Sequence, residues 1–198
     1  MRPSAFLSLV SVRFPYCAAD VPGSGGSQTG PAPWIRFLWK ATDPVFPGSP
    51  GEFSSRPARR EEKRDVLEVL LRSFSMDAAW NDSYLRMEQY LTAEVERLFQ
   101  STEPLCLLLQ KGNRPVAASL LDPDPEAVNH LVSGPAVTME YRNRGLGSLM
   151  MEESLRALEK AGLGDIRGVT RDRTISAKHI YPKFGSVREV YRFPGETT

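Results

Sequence analysis

The chain is poor in the residues that build metal sites and disulfide frameworks. It has two cysteines, Cys17 and Cys106, and two histidines, His130 and His179, in 198 residues. Cys17 lies in a Pro/Gly-rich stretch and Cys106 in an apolar run, which argues against a structural disulfide. No zinc-type Cys/His spacing occurs. No apolar run approaches the roughly 20 residues of a membrane span. An excess of either charge is also lacking: 25 Lys and Arg stand against 24 Asp and Glu. Neither nucleic acid nor an anionic membrane is therefore an expected partner. The expected setting is the cytoplasm. The first residues, with Arg2, Arg13, several serines and few acids, have some transit-peptide character. Pro15 and the shortness of the apolar stretch Ala5–Val12 speak against a secretory signal, and a disordered or misassigned start is expected ahead of a targeting segment.

What is present divides near residue 55. Residues 1–50 hold half of the 16 prolines, and the stretch from Val21 to Pro33 is mostly Gly, Ser and Pro. Such a segment has few side chains to bury, so residues 1–54 are expected to be a disordered N-terminal segment and 55–198 the folded domain. One interruption stands out. Trp34-Ile35-Arg36-Phe37-Leu38-Trp39-Lys40 is aromatic and apolar and has strand character. Further on, Val66, Leu67, Leu70, Leu71 and Phe74 recur at helical spacing, as do Tyr84, Met87, Leu91, Val95 and Leu98. Asn81, Asp82 and Ser83 are candidate caps for the second helix. Leu105–Leu109 and Val116–Leu121 read as strands joined by the turn Lys111-Gly112-Asn113. His130–Met139 reads as a third strand, irregular at Gly134-Pro135. A helix is expected from Gly145, a short strand over Ile166–Val169, a short helix over Thr174–Lys183 and a last strand over Val187–Phe193. Two helices, a hairpin and then β-α-β-α-β give an α/β domain with a mixed sheet.

The informative stretch runs from Val137 to Gly147. A strand ends, a glycine-bearing turn follows, and an amphipathic helix begins at once. Successive backbone N–H groups of such a turn, together with the unpaired N–H groups at the helix start, attract an anion. Glycine lets a pyrophosphate approach the backbone closely. The Lys-Ser/Thr of a P-loop and the third glycine of a dinucleotide fingerprint are both absent.

Here the sequence resembles the GNAT superfamily of N-acetyltransferases. Arg142-x-x-Gly145-x-Gly147 fits their Arg/Gln-x-x-Gly-x-Gly/Ala turn. Thr174-x-x-Ala177-x-x-x-Tyr181-x-Lys183-x-Gly185 fits their Asn-x-x-Ala-x-x-x-Tyr-x-Lys-x-Gly-Phe pattern, with Thr174 for Asn and Ser186 for Phe. Arg56-Pro57-Ala58 is similar to their opening strand, so the resemblance spans about Ser55 to Phe193. It implies a GNAT-like acyl-CoA transferase fold: a central mixed, mostly antiparallel sheet flanked by helices. It also implies acetyl-CoA as co-substrate and transfer to the amine of a small molecule or protein by direct attack in a ternary complex. The turn residues Arg142, Asn143, Arg144, Gly145, Leu146, Gly147 and Ser148 would hold the pyrophosphate. Val137, Thr138 and Met139 would hold the pantetheine arm through their backbone. Thr174 would stand where the family's Asn contacts the same arm, and could cap its helix. Tyr181 would protonate the departing thiolate, since a phenol of pKa ~10 suits that task. His130, with an ordinary pKa of ~6.5, is the candidate general base; Glu140 and His179 are expected to face solvent. Pro182 disfavours a helical Tyr181. The altered second motif leaves a non-catalytic acyl-CoA-binding module as the alternative, with an anion-binding interaction domain as another.

The resemblance also exposes a deficit. Such a sheet finishes with two strands after the Tyr-bearing helix, and the residues from Val187 onward suffice for one. The C-terminal strand region is shortened. Trp34–Lys40 could fill the place, or a second subunit of a homodimer could; otherwise the sheet is simply shorter.

Overall fold

The computed structural model describes residues 33–40 and 51–192. The disorder and targeting expectations for residues 1–32 and 41–50, and the extension of the last strand to Phe193, lie outside the described residues. The described residues form seven strands and three α-helices in the order β1 (Trp34–Lys40), β2 (Phe53–Pro57), α1 (Lys63–Ser75), α2 (Tyr84–Leu98), β3 (Cys106–Lys111), β4 (Arg114–Leu120), β5 (Ala136–Val137), α3 (Leu146–Lys160), β6 (Asp165–Arg171) and β7 (Val187–Tyr191). The strands form two sheets, β2-β3-β4-β5 and β6-β1-β7, with every described pairing antiparallel.

The N-terminal strand completes the second sheet. β1 lies between β6 and β7, pairing Phe37 with Gly168 on one side and with Arg188 on the other. Among the described residues only β7 follows the Tyr181 segment, and β1 of the same chain occupies the remaining place. The reason is in the alternation of its side chains. Ile35, Phe37 and Trp39 are 1%, 0% and 2% exposed, while Trp34, Arg36 and Leu38 are half-buried. Burying an apolar side chain of this size is worth about 1.5–3 kcal/mol, which a Gly/Ser/Pro segment cannot offer. The boundary expected between residues 54 and 55 therefore runs through the folded unit, with β1 and the first two residues of β2 on its N-terminal side.

The helices lie on opposite faces. β3 sends Leu107 and Leu109 into one core with α3 and β1, and Cys106 and Leu108 into the other with α1 and α2, as strand alternation requires. In α2 the buried residues are Met87, Tyr90, Leu91, Glu94 and Val95, one face of a helix. Ser83 stands at its N-cap, but the hydroxyl donates to Asp82 instead of accepting from the helix.

The third expected strand, His130–Met139, is reduced to Ala136–Val137. Gly134 turns the chain at φ 59°, and Pro135 has no N–H for a ladder. The short helix expected over Thr174–Lys183 becomes a π-helical turn, Ser176–Ile180, followed by a 3-10 turn, Tyr181–Phe184. Tyr181 keeps helical angles, φ −53° and ψ −43°, despite the proline after it. Pro182 acts at the change from one helical form to the other.

Candidate active site

A cleft opens where the two sheets part. At one end residues 129–133 tie them together. The His130 N–H donates to the Arg167 carbonyl at 2.8 Å, and Asn129 Oδ1 accepts from the Val169 N–H at 3.0 Å. Toward β4, the Asp122 N–H donates to the His130 carbonyl at 2.9 Å, and Ser133 Oγ accepts from the Leu120 N–H at 2.9 Å. Past this clasp β5 and β6 have no ladder between them. Ala136 and Val137 face Val169 and Thr170 across an open groove that runs from the turn at 143–147 to the α1 and α2 side.

The turn at the mouth of the groove has the conformation an anion cradle needs. Asn143 takes a left-handed φ of 61°, and Gly145, at the N-cap of α3, a φ of 77°. Among the described residues, the backbone N–H groups of Asn143, Arg144, Gly145, Leu146 and Gly147 meet no acceptor. Five donors at a helix start suit a diphosphate. A Cβ on Gly147 would lie 2.7 Å from Ile180 Cδ1, so this glycine also lets the π-helical turn pack against the cradle. Arg144 is exposed and stacks its guanidinium over Tyr141, 5.5 Å from the ring centre.

Several residues assigned to the cofactor from sequence are otherwise engaged. Arg142 is a brace. Its Nε donates to the Val137 carbonyl at 3.0 Å, and its terminal nitrogens donate to the Ser73 carbonyl at 2.6 Å and the Met76 carbonyl at 3.3 Å. Its own N–H goes to Met139. The side chain joins the end of α1 to β5 instead of facing the cradle. The Ser148 N–H is taken by the Gly145 carbonyl at 3.0 Å. Thr138 turns both its N–H and its hydroxyl to the Val116 carbonyl. Strand alternation then points the Val137 N–H to the open edge, where a second strand-like group could pair. Met139 is 57% exposed. The Thr174 hydroxyl accepts from the Ala177 N–H at 3.2 Å and donates to the Arg171 carbonyl at 3.0 Å. It caps its turn as expected, and both its roles are used within the protein.

Tyr181 reaches the cleft from beneath. It is 2% exposed, with its ring edge-on to Phe37 at 5.1 Å and to Trp39 at 5.2 Å. β1 thus builds the seat of the tyrosine. A Cβ on Gly134 would stand 2.4 Å from the Tyr181 hydroxyl, so the bare backbone at Gly134 makes room for it. Burial pushes the phenol well above its ordinary pKa, and a hydrogen bond with Ser176 works against that rise. The hydroxyl stays protonated at neutral pH and can donate.

His130 does not join this group. Its ring is fully buried, and Nδ1 accepts from the Arg167 N–H at 3.0 Å. Nε2 lies 3.3 Å from an Arg167 nitrogen. Burial first, and then the Arg167 charge, lower its pKa. It sits in the clasp and not on the cleft wall, so the expectation of a general base there is corrected. Glu140 is exposed and paired with Arg72, and His179 is exposed, both as expected. Sequence reading did not single out Asp77 and Trp80, both on the cleft wall, and took Gly134 only as an irregularity, without its close approach to the Tyr181 hydroxyl. For Gly134 a signal existed: a glycine inside a strand pattern marks a close approach. Asp77 and Trp80, in the connection between α1 and α2, carried none.

No curated protein sequence matches the chain. A model of the acetyltransferase (GNAT) family matches residues 65–185. Among solved structures, a GCN5-related N-acetyltransferase from Sphaerobacter thermophilus is similar at TM-score 0.57 and 16% identity, covering 81% of this chain and 50% of the other. A Drosophila protein is similar at TM-score 0.55 and 16% identity, covering 81% and 49%. The chain therefore spans about half the length of both. At such identity these two share the fold, and the family match spans more than half of the chain, with its glycine turn and its buried tyrosine inside the matched residues: the chain belongs to the acetyltransferase (GNAT) family.

Proposed function

We propose that the chain transfers an acetyl group from acetyl-CoA to a primary amine by direct attack within a ternary complex. The observation that carries this reading is the set of unpartnered N–H groups from Asn143 to Gly147 at the mouth of a cleft that Tyr181 also lines. The cradle holds the pyrophosphate, and exposed Arg144 reaches it by leaving the Tyr141 ring and the Glu140 carbonyl. The Val137 N–H, on the open edge of β5, steadies the pantetheine arm. The neutral amine nitrogen attacks the thioester carbon, the C–S bond breaks, and the Tyr181 hydroxyl gives its proton to the sulfur. The nitrogen loses its proton to water. Tyr181→Phe should lower kcat by about 10²-fold while acetyl-CoA affinity holds. The assay is release of CoA thiol with a panel of amines. Equal turnover by the variant would assign the tyrosine to packing.

A further inference from the structure

The inner end of the same cleft has a chemistry of its own. Four aromatic side chains, each from a different part of the chain, meet there: Trp34 of β1, Phe74 of α1, Trp80 of the connection and Tyr90 of α2, with Met87 beside them. Phe74 and Trp80 stand edge to face at 5.6 Å, and Trp34 and Trp80 lie 6.0 Å apart. Of the described lining, only Asp77 and Arg142 carry charge, and the Arg142 guanidinium is committed to carbonyls. Asp77 Oδ1 accepts from the Ala79 N–H at 3.0 Å, while Oδ2 meets no donor among the described residues.

We infer that this chamber selects the acceptor, and that the acceptor is a primary amine carrying an aromatic body: its ammonium pairs with Asp77 on entry and gives one proton to water before the neutral nitrogen attacks. The inference rests on the acetyl-transfer reading. Aromatic walls favour a planar apolar group; the Trp34 and Trp80 rings already carry the Arg171 guanidinium, 5.7 and 5.3 Å from their centres, and Arg171 is itself paired with Asp82, so the substrate's ammonium is left to Asp77. A single carboxylate fits one ammonium and not a polyamine. A free amino acid would bring a carboxylate of its own, for which no uncommitted cation lines the chamber. Asp77 is a binding residue here, and Trp80 sets specificity.

The test uses the full chain, acetyl-CoA and six amines: 2-phenylethylamine, tryptamine, butylamine, spermidine, glycine and a lysine-bearing peptide. The two aromatic amines should exceed butylamine in kcat/KM by about 10-fold or more, the scale on which an apolar pocket discriminates. Asp77→Asn keeps the cap but loses the charge. It should raise KM for the aromatic amines by about 10-fold, as loss of a charged hydrogen bond does, with KM for acetyl-CoA unchanged. Amine binding is followed in parallel by tryptophan fluorescence, with CoA present and absent. Asp77-dependent binding of aromatic amines without turnover would retain the chamber and refute acetyl transfer. Preference for glycine, spermidine or the peptide, or an unchanged amine KM in Asp77→Asn, would overturn the inference while leaving acetyl transfer standing. A gain with bulkier acyl-CoA donors and no preference for aromatic amines would place the acyl group in the chamber and overturn it too.

Discussion

Replacing Gly134 by alanine should cripple turnover far more than it destabilises the protein. Gly134 has φ 59°, and an added Cβ would stand 2.4 Å from the Tyr181 hydroxyl. A carbon and an oxygen need about 3.3 Å, so the hydroxyl must retreat by about 0.9 Å. The ring cannot slide freely, because Phe37 and Trp39 hold it edge-on at 5.1 and 5.2 Å. Left-handed backbone costs an alanine about 1 kcal/mol, or about 2–4 °C in Tm for a chain of this size. A misplacement of about 1 Å at a reacting group costs up to about 10²-fold in rate. We expect kcat to fall by about 10–10²-fold, acetyl-CoA affinity to hold, and Tm to drop by only a few degrees. The double variant Gly134→Ala/Tyr181→Phe supplies the control. With the hydroxyl gone the clash is relieved, so the double variant should be no slower than Tyr181→Phe alone. A kcat within about twofold of the parent in Gly134→Ala, with the tyrosine intact, would show that the hydroxyl position does not govern turnover.

Phe37→Ala, in the strand that closes the second sheet, should cost about 3–5 kcal/mol and lower Tm by about 6–20 °C. An unchanged Tm would mean that β1 does not contribute to the core. His130 is held neutral in the clasp, with its pKa below the ordinary 6.5. The folded protein therefore binds fewer protons there than the unfolded chain. The stability this contributes is present above pH ~6.5 and is lost as pH falls toward the folded value. His130→Gln should flatten that part of the Tm-against-pH curve and leave kcat at pH 8 within about twofold; a large loss of kcat would return the histidine to the chemistry.

The helices, the hairpin and the glycine turn were legible because each rests on local order: helical spacing in α1 and α2, Lys111-Gly112-Asn113 between β3 and β4, and the glycines before α3. The strand deficit was legible too, since counting residues after Tyr181 left room for one strand. What filled it was harder to read, because nothing local in Trp34–Lys40 says that its partners lie beyond residue 160. The reduction of the third strand came from donors that sequence cannot assign, with the His130 N–H going to β6. At the site, the motif pointed to the glycine turn and to Tyr181, which border one cleft, but assigned side-chain roles too freely. Arg142 and Thr174 are polar residues in the right stretch, yet both spend their hydrogen bonds inside the fold. The aromatic chamber was invisible for a further reason: its four aromatic residues come from four separate elements.

The central claim is that the N–H cradle from Asn143 to Gly147 binds acetyl-CoA, and melting in its presence tests it most directly. At about 100 times Kd a ligand of the native state adds about 2.7 kcal/mol, or about 5–11 °C in Tm for this size of chain. Gly147→Glu sets a carboxylate against the cradle, and its Cβ meets only the flexible end of Ile180. The account predicts a Tm rise of that size in the parent protein and none in Gly147→Glu. No rise in the parent, or an equal rise in the variant, would contradict it.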